Sequence, residues 1–319
     1  MNTALRPHCL ISMFIALGLV ACGSDEGAPA APNQEGAIPR PSVNGLQIVT
    51  PEFSLRPGGE SQSCYYTSLT NEEEVFVRQY DAFQASGGHH VILMSPLLDR
   101  PDGTVEDCTE GEQMVNYLPL VLSLELNHFT LDGGLGVRLP PRAKVVVQSH
   151  YVNPKAEAVS VRDVINLEFI PKGEPAIPVG FWASAYLNLA VPPMSRSTLK
   201  YRCTAEQDMK LLALIGHMHG EGSHLTIDIG SPGAAQRVYA VDSWTASFRD
   251  TPPQERWTTD APLTVHAGDV MDVTCNWNST STETLKFPVE MCGSNAWFYP
   301  TDASITCSGV FVEGNAAGG

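Results

Sequence analysis

Five histidines and one methionine stand in a fixed order along this chain, and their types suit a redox metal. They are His89 and His90 in GGHHVILM, His150 in VVVQSHYVNP, His217 and His219 in LIGHMHGEGSHL, and Met291 in PVEMCGSN. They divide into two three-donor sets, one of three imidazoles and one of two imidazoles with a thioether. Imidazole combined with thioether favours copper that cycles through the soft Cu(I) state. Three protein donors also leave a coordination position open for a small molecule.

The spacing of these donors says different amounts about each. His217 and His219 are two apart, and in a strand residues i and i+2 project from one face, so both imidazoles can share one ion. The run KLLALI at 210–215 predicts a buried strand that delivers them to its rim. His89 and His90 are adjacent, and a regular strand would point them to opposite faces. One ion can take both only at a strand end or a bulge, and Gly87 and Gly88 offer such a place. His150 ends the apolar VVVQS run and, taken singly, reads as a hydrogen-bonded rim histidine. Met291 alone reads as core filler, but Cys292 beside it can pin it, and the His-x-His pair lacks a third donor. His128, His224 and His266 have ordinary readings, with His224 a candidate outer partner. The chain has no HExxH, nucleophile elbow, P-loop or Rossmann glycine pattern.

These side chains must be positioned by strands. Short runs rich in β-branched and aromatic residues, broken by Gly, Pro, Asp and Asn, predict strands at 46–49, 74–79, 90–94, 144–151 and 164–170. The second half repeats the pattern at 180–189, 197–203, 211–217, 224–229, 263–265, 269–277 and 305–312. No long helical periodicity occurs; residues 112–126 are the most ambiguous stretch. Many short strands with frequent turns predict β-sandwiches. The best internal break is PKGEP at 171–175, extending to Pro178, because proline removes ladder donors. It separates a first metal domain, 45–172, from a second, 173–313, followed by a tail, 314–319.

With 319 residues, 43% of them hydrophobic, the chain can bury a sizeable core. Its formal net charge is -16 and it has no long basic run, so nucleic acid is not an expected partner. Residues 1–21 read as a signal peptide, with Arg6 ahead of an apolar run at 10–20 too short to span a membrane as a mature helix. LVAC at 19–22 resembles the lipobox of bacterial lipoproteins, cleaved before Cys22 and acylated on it. Residues 22–44, rich in Gly, Ala and Pro, fit a flexible tether. The expected location is the cell envelope, held to a membrane by lipid alone; Gly23 after Cys22 favours the outer membrane. Apart from Cys9 and Cys22, six cysteines remain: Cys64, Cys108, Cys203, Cys275, Cys292 and Cys307. In an exported chain they suggest three disulfides, with fifteen pairings open.

In this order and spacing, the motif blocks resemble those of the copper type II, ascorbate-dependent monooxygenases, the group of peptidylglycine alpha-hydroxylating and dopamine beta-monooxygenases. The resemblance spans nearly all of 45–312. It implies two antiparallel jelly-roll β-sandwich domains facing across a solvent-filled cleft. It implies an electron-transfer copper on His89, His90 and His150, with Gln148 near it, and an oxygen-binding copper on His217, His219 and Met291. It implies the pairings Cys64–Cys108, Cys203–Cys307 and Cys275–Cys292. The activity implied is hydroxylation of an sp3 C–H bond of a small molecule by O2, with ascorbate or another one-electron donor. The alternative is an envelope lipoprotein that binds or delivers copper without catalysis. Where the peptide-amidating enzymes carry a carboxylate-binding arginine, this chain has Ile215; where they carry a tyrosine after the methionine, it has Asn295. Met218 replaces a threonine between the histidines. Trp182, Trp297 and Phe298 are candidates to line an apolar pocket.

Overall fold

The strands fall into two groups that pair only among themselves. The computed structural model describes residues 40–108, 116–120, 128–249, 251–301 and 304–318. The expected signal segment, Cys22 and most of the tether lie outside the described residues, as does most of 112–126. The described residues all belong to one compact unit, are all-β, and contain no α-helix. No helix among them is long and apolar enough to cross a membrane.

In the first half, one sheet runs in the order Gly45–Val49, Asp163–Phe169, Val75–Gln84, Leu135–Leu139, Ile177–Pro178, with His128–Thr130 also paired to Val75–Gln84. The facing sheet runs Val105–Asp107, Glu60–Ser68, Lys144–Val152, Gly88–Pro96, Tyr117–Pro119. Alternate side chains meet between them, among them Val77, Tyr80, Ile165 and Leu167 from the first sheet and Val91, Leu93, Val145 and Val147 from the second. Period-two alternation makes this sandwich: one face of each strand is apolar and buried. The short strand Ile177–Pro178 pairs with Leu135–Leu139, so the changeover of strand pairing falls after Pro178, at the far end of the proline-rich break.

The second half repeats the plan. Glu255–Arg256, Met209–His217, Gly293–Tyr299, Gly180–Ala185 and Ser304–Ser308 form one sheet, with Leu263–Val265 on Met209–His217. Gln236–Val241, Gly222–Gly230, Val270–Asn278, Arg196–Thr204 and Val310–Gly314 form the other. Trp182, Leu199, Tyr201, Leu214, Ile227, Val273, Trp277 and Phe298 fill the space between. Nearly all pairings are antiparallel; Gly180–Ala185 with Ser304–Ser308 and Leu135–Leu139 with Ile177–Pro178 are parallel.

The halves are not separate bodies across open solvent. The outer face of the Met209–His217 sheet contributes Phe181, Ala213, Ile215, Trp297 and Tyr299 to the same apolar cluster that fills the first sandwich. The halves therefore share a core, and a cavity lies beside it.

Three disulfides hold the sheets: Cys64–Cys108, Cys203–Cys307 and Cys275–Cys292, with Cα separations of 5.8, 6.1 and 5.9 Å. These are the pairings the resemblance implies. Cys203–Cys307 joins the two sheets of the second half, and Cys275–Cys292 ties strand Val270–Asn278 to the residue just before Gly293–Tyr299 in the other sheet.

Candidate metal centre

His89, His90 and His150 come together because one strand carries an extra residue. Along the pair Lys144–Val152 and Gly88–Pro96, His150 stands opposite His90, but Tyr151 stands opposite Gly88. His89 is the surplus residue of a bulge, which brings both neighbours to the side of His150. Gly87 makes the turn at φ +92°, and a Cβ there would lie 2.6 Å from the Val152 carbonyl oxygen, so only glycine fits. The three rings lie with centroids 4.8–5.5 Å apart. One nitrogen from each falls within 4.8 Å of the others. The Nδ1 atoms of His89 and His90 are 3.2 Å apart.

Burial and hydrogen bonds prepare this set to donate lone pairs. His90 and His150 are buried and His89 is exposed. His150 Nε2–H donates to Glu60 Oε1 at 2.8 Å, while its Nδ1 is buried with no hydrogen-bond partner. A buried orphan nitrogen on a ring 4.8–5.0 Å from two other imidazoles fits a bound ion. Gln148 hydrogen-bonds His90. Ser149 and Tyr151 flank His150 on the opposite face and both donate to the buried Asp163, Tyr151 at 2.5 Å. Burial pushes the Asp163 carboxyl up.

The second set is built by strand register and one carboxylate. His217 pairs with Gly293 and Ile215 with Asn295. The ladder ends there, with His219 two residues beyond it on one strand and Met291 two residues before it on the other. Glu290, 1% exposed, closes this corner. Its Oε1 accepts from the backbone N–H of His219 at 2.6 Å and of Met291 at 2.9 Å, and its Oε2 from Glu221 N–H at 3.2 Å. The Cys275–Cys292 disulfide pins the residue after Met291. His219 Nδ1–H donates to the Val289 carbonyl at 2.9 Å, which places the ring's lone pair on Nε2. Trp244 Nε1–H donates to the His219 carbonyl at 3.0 Å. The rings of His217 and His219 are 5.2 Å apart.

Both sets open on one cavity of about 340 Å³ between the halves. His90 and Gln148 line it from one side, and His217, His219 and Met291 from the other. Its walls are mostly apolar, with Ile92, Met94, Phe181, Ile215 and Trp297 among them. Arg249 is the one lysine or arginine lining it among the described residues. The sequence reading missed Arg249, Glu290 and Glu60.

Other expectations fare differently. Trp297 lines the cavity, but Trp182 and Phe298 do not; alternation turns both into the sandwich core. Met218 is buried in that core too, on the face opposite His217, so it packs and does not touch the cavity. His224 is exposed, with its Nδ1 3.2 Å from Ser223 Oγ, and does not line the cavity. His128 pairs with Asp81.

Burial, followed by repulsion from His150 and His89, lowers the His90 pKa from 6.5 to about 3. Burial, followed by His219 and Arg249, lowers His217 to about 3 as well. Both rings are therefore neutral donors at physiological pH. Between pH 6.5 and about 3 the unfolded chain binds more protons at these positions than the folded chain. Stability of the metal-free protein is expected to fall as pH drops through that window, by up to about 1.4 kcal/mol per pH unit at His90 and less at the half-buried His217. Urea unfolding midpoints measured from about pH 7 to about pH 4 check this. A His90→Asn variant with the same slope as wild type would contradict it.

No protein-family model matches the chain, and no curated protein matches it.

Proposed function

We propose that this chain is a copper-dependent monooxygenase of the ascorbate-dependent type, held in the cell envelope by a lipid on Cys22. The observation that carries the reading is the shared cavity. His90 of the first set and His217, His219 and Met291 of the second, far apart in the sequence, line it together, and the donor types are those the chemistry needs. The orphaned Nδ1 of His150 and the fixed tautomer of His219 fit bound copper. Copper at these positions would supply one-electron redox chemistry and oxygen activation.

The protein's own part is placement. Met291 offers a soft donor held by Glu290 and the adjacent disulfide. Ile215, Trp297 and Phe181 form a dry wall beside His217 and can hold the apolar body of a substrate while limiting water. One oxygen atom would enter the C–H bond and the other leave as water, consuming two electrons and two protons. Arg249, together with bound metal cations, disfavours substrates bearing an ammonium group.

Ile215 supplies no guanidinium for a carboxylate at the place where the peptide-amidating enzymes hold theirs. Glycine-extended peptides are therefore expected not to be converted by the copper-loaded protein, as mass spectrometry would check; an amidated product would refute this.

The central test is metal analysis with oxygen uptake. The loaded protein should hold two coppers per chain, and His217→Ala should hold one. Oxygen should be consumed with ascorbate in the presence of a C–H substrate panel drawn from envelope extract. Stoichiometric copper with no oxygen consumed would replace this reading with copper carriage.

A further inference from the structure

We infer that Glu60 is a positioning residue for the three-histidine set, one that fixes the His150 tautomer and places a negative charge next to the bound ion's ligand. The inference rests on the reading of that set as a copper centre. Strand Glu60–Ser68 runs antiparallel to Lys144–Val152, with Val152 opposite Glu60 and His150 opposite Gln62. Glu60 is thus the diagonal neighbour of His150 on one face of the sheet. The backbone register alone brings the two side chains together, and the 2.8 Å bond from His150 Nε2–H to Glu60 Oε1 follows from it.

A second observation points the same way. His150 Nδ1, the ring's other nitrogen, is buried and has no hydrogen-bond partner. A neutral imidazole protonated at Nε2 carries its lone pair on Nδ1. One nitrogen is engaged by the carboxylate, and the ring that carries the other has its centroid 4.8 and 5.0 Å from those of His89 and His90. An ion held by the free nitrogen would have the carboxylate behind its imidazole ligand, an arrangement that raises the donor strength of the imidazole.

The charge has a direction. A carboxylate behind one ligand stabilises the higher charge of Cu(II) over Cu(I). In the other set, the His219 Nδ1–H donates to the neutral Val289 carbonyl, and Met291 supplies a thioether that favours Cu(I). The two sets are therefore poised in opposite senses: the first to give up an electron, the second to take one.

The Glu60 side chain is 66% exposed and that of His150 is 6% exposed, so Glu60 can be replaced without opening the core. An ordinary exposed pair of this kind contributes little, and that outcome is measurable. The test uses the full chain carrying His217→Ala, so that only the three-histidine site is read. Cu(II) and Cu(I) affinities are measured by chelator competition, and Cu(II) geometry by electron paramagnetic resonance. Glu60→Gln keeps an acceptor oxygen and loses the charge. It is expected to weaken Cu(II) binding roughly tenfold while Cu(I) binding changes far less. A tenfold change in that ratio raises the one-electron potential by about 59 mV. Glu60→Ala loses orientation too, and should weaken both oxidation states and alter the Cu(II) spectrum. Equal Cu(II) affinity in wild type, Gln and Ala proteins would overturn the inference and leave the copper reading standing. If adding His150→Ala leaves copper content unchanged, the site is not occupied and both fail.

Discussion

Glu290→Ala is expected to destabilise the metal-free protein by about 3–5 kcal/mol and to lower copper content from two per chain to one. The carboxylate is buried and accepts from three backbone N–H groups, those of His219, Glu221 and Met291. Each of those donors belongs to the corner that carries the second set. Truncation leaves them without acceptors at about 1–3 kcal/mol each, partly relieved where water can enter from the cavity. Glu290→Gln keeps one oxygen, enough for His219 and Met291, and should cost less and retain the second copper. Guanidinium unfolding and metal analysis of both variants check this. An alanine variant with an unchanged midpoint and two coppers would show that Glu290 does not hold the corner.

Trp297→Ala is expected to cost about 3–5 kcal/mol and to change the form of unfolding as well as its midpoint. Trp297 is 2% exposed, stacks edge-on against Phe181 at 5.0 Å, and belongs to the apolar cluster that runs from the first sandwich into the face of the second. Removing it opens a hole where the halves meet. Calorimetry of the wild type should give one transition, and the variant should give two as the halves unfold separately. Trp297→Phe should be milder, because the indole N–H it removes is buried without a partner. A single transition for Trp297→Ala, shifted by less than about 1 kcal/mol, would mean the shared cluster does not couple the halves.

The strands that carry histidines were readable because their other face is plain apolar core. VVVQSH and KLLALIGH announce themselves. Two neighbours did not. Glu60–Ser68 (ESQSCYYTS) buries Gln62, Cys64 and Tyr66; Gln62 lines the cavity, and Cys64 and Tyr66 pack with Ile92, Met94 and Cys108, so its buried face is not greasy enough to show in the sequence. Gly293–Tyr299 opens with Gly, Ser and Asn, which read as a turn, yet it lies between Met209–His217 and Gly180–Ala185. The roles of Glu60 and Glu290 were hidden for a related reason. One meets a histidine ninety residues away, and the other bonds only backbone, which leaves no trace in residue type. The assignment of Trp182 and Phe298 to the pocket failed on side-chain alternation, since each sits one step from a residue that does face it, Phe181 and Trp297. The bulge at His89 was legible from the adjacent histidines and the glycines before them.

Each half contains one surplus residue in a strand that carries candidate metal donors. In the first it is His89 itself; in the second it is Leu212, which has no opposite number between Leu211 paired with Phe298 and Ala213 paired with Trp297. Such a residue works as a phase break. Gly293–Tyr299 pairs along one edge of the strand on both sides of Leu212, while the other edge changes partner there, from Leu263–Val265 upstream to Glu255–Arg256 downstream; past the break Ile215 and His217 face the void. Loss or gain of one amino acid at this joint would be absorbed there without inverting the imidazole-bearing end. Lineages could thus trim or extend the outer part of the sheet while the chemical end stays in step.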